Sequence, residues 1–167
     1  MNGTVAPLIN FECLERLGLE SGSHPIGLFD DLEKAKEYLA EFRWVLSIDE
    51  SYLGGFFPEI VGIFLLKVTP KLMGIDDYVW VIVGDVPTAY ITVEDCPNPA
   101  TALDGYIGAV QEWVDAVLNA KTTNGVIPIL PETPENALLL KRRLNYLRSE
   151  ILPQCEGSLE EVRFKQR

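Results

Sequence analysis

The sequence predicts an α+β fold: a small, mostly antiparallel β-sheet, built as a meander with a central hairpin, packed by three or four α-helices. Three observations predict it. Residues 76–95 (DDYVWVIVGDVPTAYITVED) hold two β-branched and aromatic runs around a Gly84-Asp85-Val86-Pro87 turn, the pattern of a hairpin. Residues 60–69 (IVGIFLLKVT) are apolar on both alternating sets, which indicates a strand covered on both faces. Two cap-plus-proline signals, Asn98-Pro99 and Thr133-Pro134, open long helical patterns after the hairpin. A length of 167 residues with 47% apolar residues fits one domain over 1–167. Its polar tail, from about residue 155, reads as frayed.

The elements follow in order. Residues 8–18 (LINFECLERLG) predict a short helix ended by Gly18, and a Gly/Ser/Pro-rich turn containing His24 comes next. In 30–43, Leu32, Ala35, Leu39 and Phe42 recur at helical spacing, with Asp30 and Asp31 as N-cap and dipole partners. Residues 44–48 predict a short strand, and 51–58 (SYLGGFFP) a loop of bulky aromatics. The strand at 60–69 ends at Pro70. The hairpin strands are 78–83 and 88–93, the second nearer a sheet edge because Ala89, Ile91 and Val93 alternate with Thr88, Tyr90 and Thr92. The helix after Asn98 carries a stripe of Leu103, Ile107, Val110, Trp113 or Val114, and Val117. Residues 126–130 form a short extended piece. The helix after Thr133 carries Ala137, Leu140, Leu144, Leu147 and Ile151, and Pro153 stops it.

The formal net charge is −11 and sits in the N-terminal part: 16 acidic against 6 basic residues through position 100 leave −10 there. Such a field repels phosphate backbones and anionic membranes and attracts cationic proteins or metal ions, so nucleic acid and membrane are poor partners. No run approaches the ~20 apolar residues of a membrane span. The N-terminus shows no secretory pattern, and three scattered cysteines (Cys13, Cys96, Cys155) suit a reduced, cytoplasmic setting.

The hairpin places five carboxylates. Asp76 and Asp77 face Glu94 and Asp95 at the open end, while Asp85 sits at the turn, on the order of 25 Å away. Asp85 therefore shares no metal or substrate atom with the other four, and an aspartate beside Gly and Pro commonly bonds its own turn. Like charges across strands destabilise a hairpin, so the four acids are solvated strand ends, a partner contact, or ligands of a hard cation. No calcium-loop spacing, P-loop, GxGxxG, GxSxG or HExxH occurs, and the chain predicts no cofactor.

The lone His24 cannot build a multi-histidine zinc site. Cys96 precedes a helix N-terminus, but Glu94 and Asp95 oppose its ionisation. Lys141, Arg142, Arg143 and Arg148 form the one basic cluster, read as a solvated helix face or internal ion pairs. Tyr52, Phe56 and Phe57 are the candidates for an exposed aromatic contact, with core packing as the competing reading.

Residues 80–91 (WVIVGDVPTAYI), followed by the helix containing Trp113, resemble a pattern seen in small uncharacterised bacterial proteins, some of which look like immunity partners of polymorphic toxins. The resemblance covers the layout of residues 60–152 and implies no catalytic residues. Two main functions follow. The first is a non-enzymatic acidic module that binds a basic protein as an immunity-like inhibitor does, through Tyr52, Phe56, Phe57, Asp76, Asp77, Glu94 and Asp95. The second is a small-molecule-binding or hydrolytic domain using carboxylates in a sheet–helix pocket, with Asp85, Tyr90 and Trp80 as its candidates. A homo-oligomer built on a sheet edge or the leucine-rich helix is the third option.

Overall fold

The computed structural model describes residues 9–18, 24–72, 77–94, 96–123 and 127–156. They form an α+β structure in which one antiparallel sheet of five strands is covered on both faces by helices. The strands are β1 (Glu15–Leu17), β2 (Val45–Phe57), β3 (Val61–Pro70), β4 (Tyr78–Gly84) and β5 (Ala89–Thr92), in spatial order β1-β2-β3-β4-β5. The helices among the described residues are α1 (Leu28–Ala40), α2 (Pro99–Leu118) and α3 (Pro134–Tyr146).

The hairpin pairs as its pattern predicts: Val79 with Thr92, Trp80 with Ile91, Val81 with Tyr90 and Ile82 with Ala89. Alternation then sorts the central strands onto two cores. Phe64, Leu66 and Val68 of β3 and Val79, Val81 and Val83 of β4 pack against Leu28, Leu32, Ala35 and Leu39 of α1. Ile63, Leu65, Trp80 and Ile82 point the other way, onto Leu103, Tyr106, Ile107, Val110, Trp113 and Val114 of α2. Helix α3 completes that layer with Ala137, Leu140 and Leu144. Burying each such aliphatic side chain contributes about 1.5–3 kcal/mol, which is why both apolar sets of β3 and β4 need a helical cover.

The caps of the two later helices follow the sequence. The Asn98 side chain accepts from Thr101 N–H while the Thr101 hydroxyl accepts from Asn98 N–H, closing a reciprocal cap ahead of Pro99. Thr133 accepts from Asn136 N–H ahead of Pro134. Helix α1 starts earlier than the sequence suggests. Gly27 is its N-cap without a side-chain bond, and Asp30 and Asp31 lie in its first turn, where they still favour the dipole.

Several expectations are corrected. Residues 9–18 form no α-helix but a 3₁₀ turn (Phe11–Cys13), capped by the Asn10 side chain, followed by edge strand β1, and residue 8 lies outside the described residues. Residues 51–57 of the expected aromatic loop belong to β2, which extends the short strand expected at 44–48, and with β1 the sheet has five strands. Pairing of β2 with β3 skips Leu46, Asp49 and Gly54, and these bulges break the two-residue alternation that would have identified the strand. Pro153 does not stop the last helix. A π-helical turn, Leu147–Ile151, precedes it, with Leu152 N–H bonded to Leu147 C=O, and helix continues through Glu156. The wider turn accommodates a proline that lacks the N–H and crowds the preceding carbonyls. Cys155 is buried within helix, and the expected tail beyond residue 156 lies outside the described residues. No helix among the described residues is long and apolar enough to cross a membrane.

Candidate partner-binding face

At the end of the sheet nearest the hairpin's open end, β1 to β4 bring an aromatic and ionic group together. The registers Arg16–Tyr52, Tyr52–Leu65, Glu50–Lys67 and Lys67–Tyr78 place Arg16, Glu50, Tyr52, Lys67 and Tyr78 on one face, the one α2 covers further along. Phe11, 41% exposed, stands edge-on to Tyr52 and to Tyr78, with ring centroids 5.3 and 5.4 Å apart. The Tyr52 and Tyr78 rings lie 6.5 Å apart, and Lys67 Nζ is 5.9 Å from the Tyr78 centroid. Edge-to-face contacts of this kind hold rings in fixed orientations.

Glu50 beside the rings, and Asp49 next to it on β2, are both held ionised. The Tyr52 phenol donates to Glu50 Oε2 at 2.6 Å, and Arg16 Nη2 pairs with Glu50 Oε1 at 3.2 Å. The phenol chiefly, with Arg16 and Lys67, pulls the Glu50 carboxyl below its ordinary range. The same bond pushes the Tyr52 phenol up to about 12. Asp49 is the residue the β2 bulge leaves unpaired, and it accepts from the hydroxyls of Thr69 (2.7 Å) and Ser47 (2.8 Å). Those bonds, Thr69 first, lower its pKa as well.

The other residues singled out in the sequence do not converge here. Phe56 packs on the α1 side and Phe57 on the α2 side, so these neighbours on β2 form no joint contact with Tyr52. Asp77 and Glu94 are exposed at the open end of the hairpin, as its register requires. Asp76 and Asp95 lie outside the described residues. Trp80 is fully buried and donates its indole N–H to Cys96 C=O at 2.8 Å, which makes it core rather than pocket. Tyr90 packs against Phe42 and Trp44 on the α1 face, at 5.1 and 5.7 Å. Asp85 is not a lone turn residue, because Arg143 Nε of α3 pairs with its Oδ2 at 3.2 Å. Cys96 is buried, with its Sγ 3.5 Å from Thr101 C=O. Among the described residues no three His, Cys, Asp or Glu side chains gather as a metal-holding group.

On the opposite face, α1 and its C-cap expose Asp30, Glu33, Glu37 and Glu41 at steps of three, four and four, an acidic stripe along one side of the helix. A groove of about 470 Å³ runs between α1, β1 and β2, bordered by Phe29, Leu32 and Glu33 and by Ile48 to Ser51. His24 stands edge-on to Phe29 and 3.7 Å from Glu15.

Sequence reasoning finds Tyr52 but misses Phe11, Glu50, Asp49 and Arg16. The helical reading of 8–18 misplaces Phe11 and Arg16, and the bulges conceal the strand that carries the other two. The run of hydroxyls and carboxylates in 47–52 (SIDESY) is the trace left in the sequence. In comparisons with known proteins, no family model matches the chain, and neither a curated protein nor a solved structure does.

Proposed function

We propose that the protein is a non-enzymatic acidic binding module that covers a basic surface of another protein, in the manner of an immunity-type inhibitor. The observation that carries this reading is the Phe11–Tyr52–Tyr78 cluster with the Glu50 carboxylate bonded to the Tyr52 phenol at 2.6 Å, and with Asp49 next to Glu50 on β2. Rigid aromatic rings supply contact area at little entropic cost, and interface hot spots are rich in them. Fixed carboxylates at the rim, within a chain of net charge −11, accelerate encounter with a cationic partner and choose against anionic ones.

Capture of partners from a lysate of the source organism on the immobilised protein, at low and at raised salt, tests the reading. A protein partner that elutes with salt, and is lost with Phe11→Ala, is expected. Phe11 is exposed, so this substitution leaves the core intact. Recovery of no salt-sensitive protein, or equal recovery on the Phe11→Ala variant, contradicts the proposal.

A further inference from the structure

A cleft of about 350 Å³, within the size range of small-molecule sites, opens beside the C-terminal end of α3, between it and the turns that join β2 to β3 and β4 to β5. Its aliphatic residues are Ile60, Val86 and Leu147, and Tyr146 also lines it. Leu147 is 1% exposed, and Ile60 and Val86 pack against the core. Its charged residues come from both signs: Arg142 and Arg143 from α3, Glu59 and Asp85 from the turns.

These four are not equivalent. Asp85 is committed to Arg143 and is itself fixed by its backbone N–H, which donates to Ile60 C=O at 3.0 Å. Arg142 and Glu59 have no ion-pair partner among the described residues. Glu59 also has an unusual backbone. It follows Pro58 in a turn closed by Ile60 N–H to Phe57 C=O at 2.9 Å, with φ of 64°, where glycine is strongly favoured. A carboxylate therefore stands at a position whose conformation disfavours any side chain. Strain of that kind at a cleft mouth is a pointer to a role for the side chain.

We propose that this cleft binds a small zwitterion with an apolar side chain, of the class of a free aliphatic or aromatic α-amino acid. Its carboxylate is held by Arg142 beside the Asp85-anchored Arg143, its ammonium by Glu59, and its side chain by Ile60, Val86 and Leu147. The charges lining the cleft balance, so a simple anion or cation gains little from their field, whereas a ligand carrying both signs satisfies each unpaired group. Guanidinium–carboxylate and carboxylate–ammonium contacts are charge-assisted and directional, and the apolar residues supply the burial.

Isothermal titration of the intact chain with L-leucine and L-phenylalanine tests it, against N-acetyl-L-leucine and L-leucinamide, each of which lacks one charge. Saturable binding of the free amino acids is expected, weakened roughly tenfold or more by either cap. Glu59→Gln should erase the discrimination against the acetylated ligand, and Arg142→Gln that against the amide. Glu59→Gly should weaken binding while raising the melting temperature, because it relieves the backbone. That separates loss of a contact from loss of fold. No saturable binding of either amino acid, preference for a capped ligand, or unchanged discrimination in both glutamine variants overturns the proposal.

Discussion

Gly84 ends β4 with φ of 135°, a conformation that L side chains rarely adopt. A Cβ added there would overlap Ile60 O and lie 2.8 Å from Val61 Cα and 3.0 Å from Ile60 C. All three are backbone atoms, so no rotamer change relieves the overlap. Either β3 must move away at Val61, the residue that pairs with Gly84, or the turn must break the bond from Asp85 N–H to the same Ile60 carbonyl. Backbone strain of about 1–3 kcal/mol and overpacking of about 1–3 kcal/mol act together, so Gly84→Ala should cost about 2–6 kcal/mol. Gly108 is the matched control. It lies within α2 with nothing inside 4 Å of an added methyl group, so Gly108→Ala should stabilise by about 0.5–1 kcal/mol through helix propensity. Urea denaturation of both variants, with unchanged dependence on denaturant, measures the two values. A loss below about 1 kcal/mol for Gly84→Ala, or a loss of stability in Gly108→Ala, would refute the reasoning.

The Glu50 carboxyl has a folded pKa below its ordinary 4.5, so its contribution to stability is complete above that pH and disappears as pH falls through the folded value. Tyr52→Phe removes the largest cause of that shift and should flatten the fall in melting temperature as pH drops below 4.5, and an unchanged slope would contradict the assignment. Trp80→Phe leaves the Cys96 carbonyl without its buried donor and removes ring volume, for a loss of about 2–4 kcal/mol in thermal or chemical unfolding. Burial, first, raises the Cys155 thiol to about 11, so iodoacetamide near about pH 8 should label it far more slowly in the native chain than in denaturant; equal rates would count against its burial.

Where local chemistry dictates local structure, the sequence is legible. The hairpin register, the caps at Asn98 and Thr133 and the two-sided burial of β3 all follow from signals within a few residues. The misreadings share one cause, a local pattern overridden by a distant partner. β2 does not alternate because its bulges are tolerated by pairing with β3, and Glu15–Leu17 is a strand only because Ser51–Leu53 lies beside it. Pro153 sits in a helix because a wide turn is inserted ahead of it. The candidate face is legible in one member only. Tyr52 reads as an aromatic contact, but its partners Phe11, Arg16 and Tyr78 come from separate strands and turns, and nothing in their spacing announces the meeting. Asp85 reads as self-contained for the same reason, since Arg143 reaches it from α3.

β1 has three residues and β5 four, whereas β3 has ten and β4 seven, with almost every β3 and β4 side chain apolar. Long apolar strands of this kind template aggregation when their edges are open. Short outer strands leave a newcomer few backbone groups to pair with, and the kinks along β2 would set a second barrier if β1 detached. Shedding β1 is thus a smaller hazard to solubility than shedding β5, behind which lies the straight, unbulged β4. Aggregation on mild heating should therefore begin at the β5 edge.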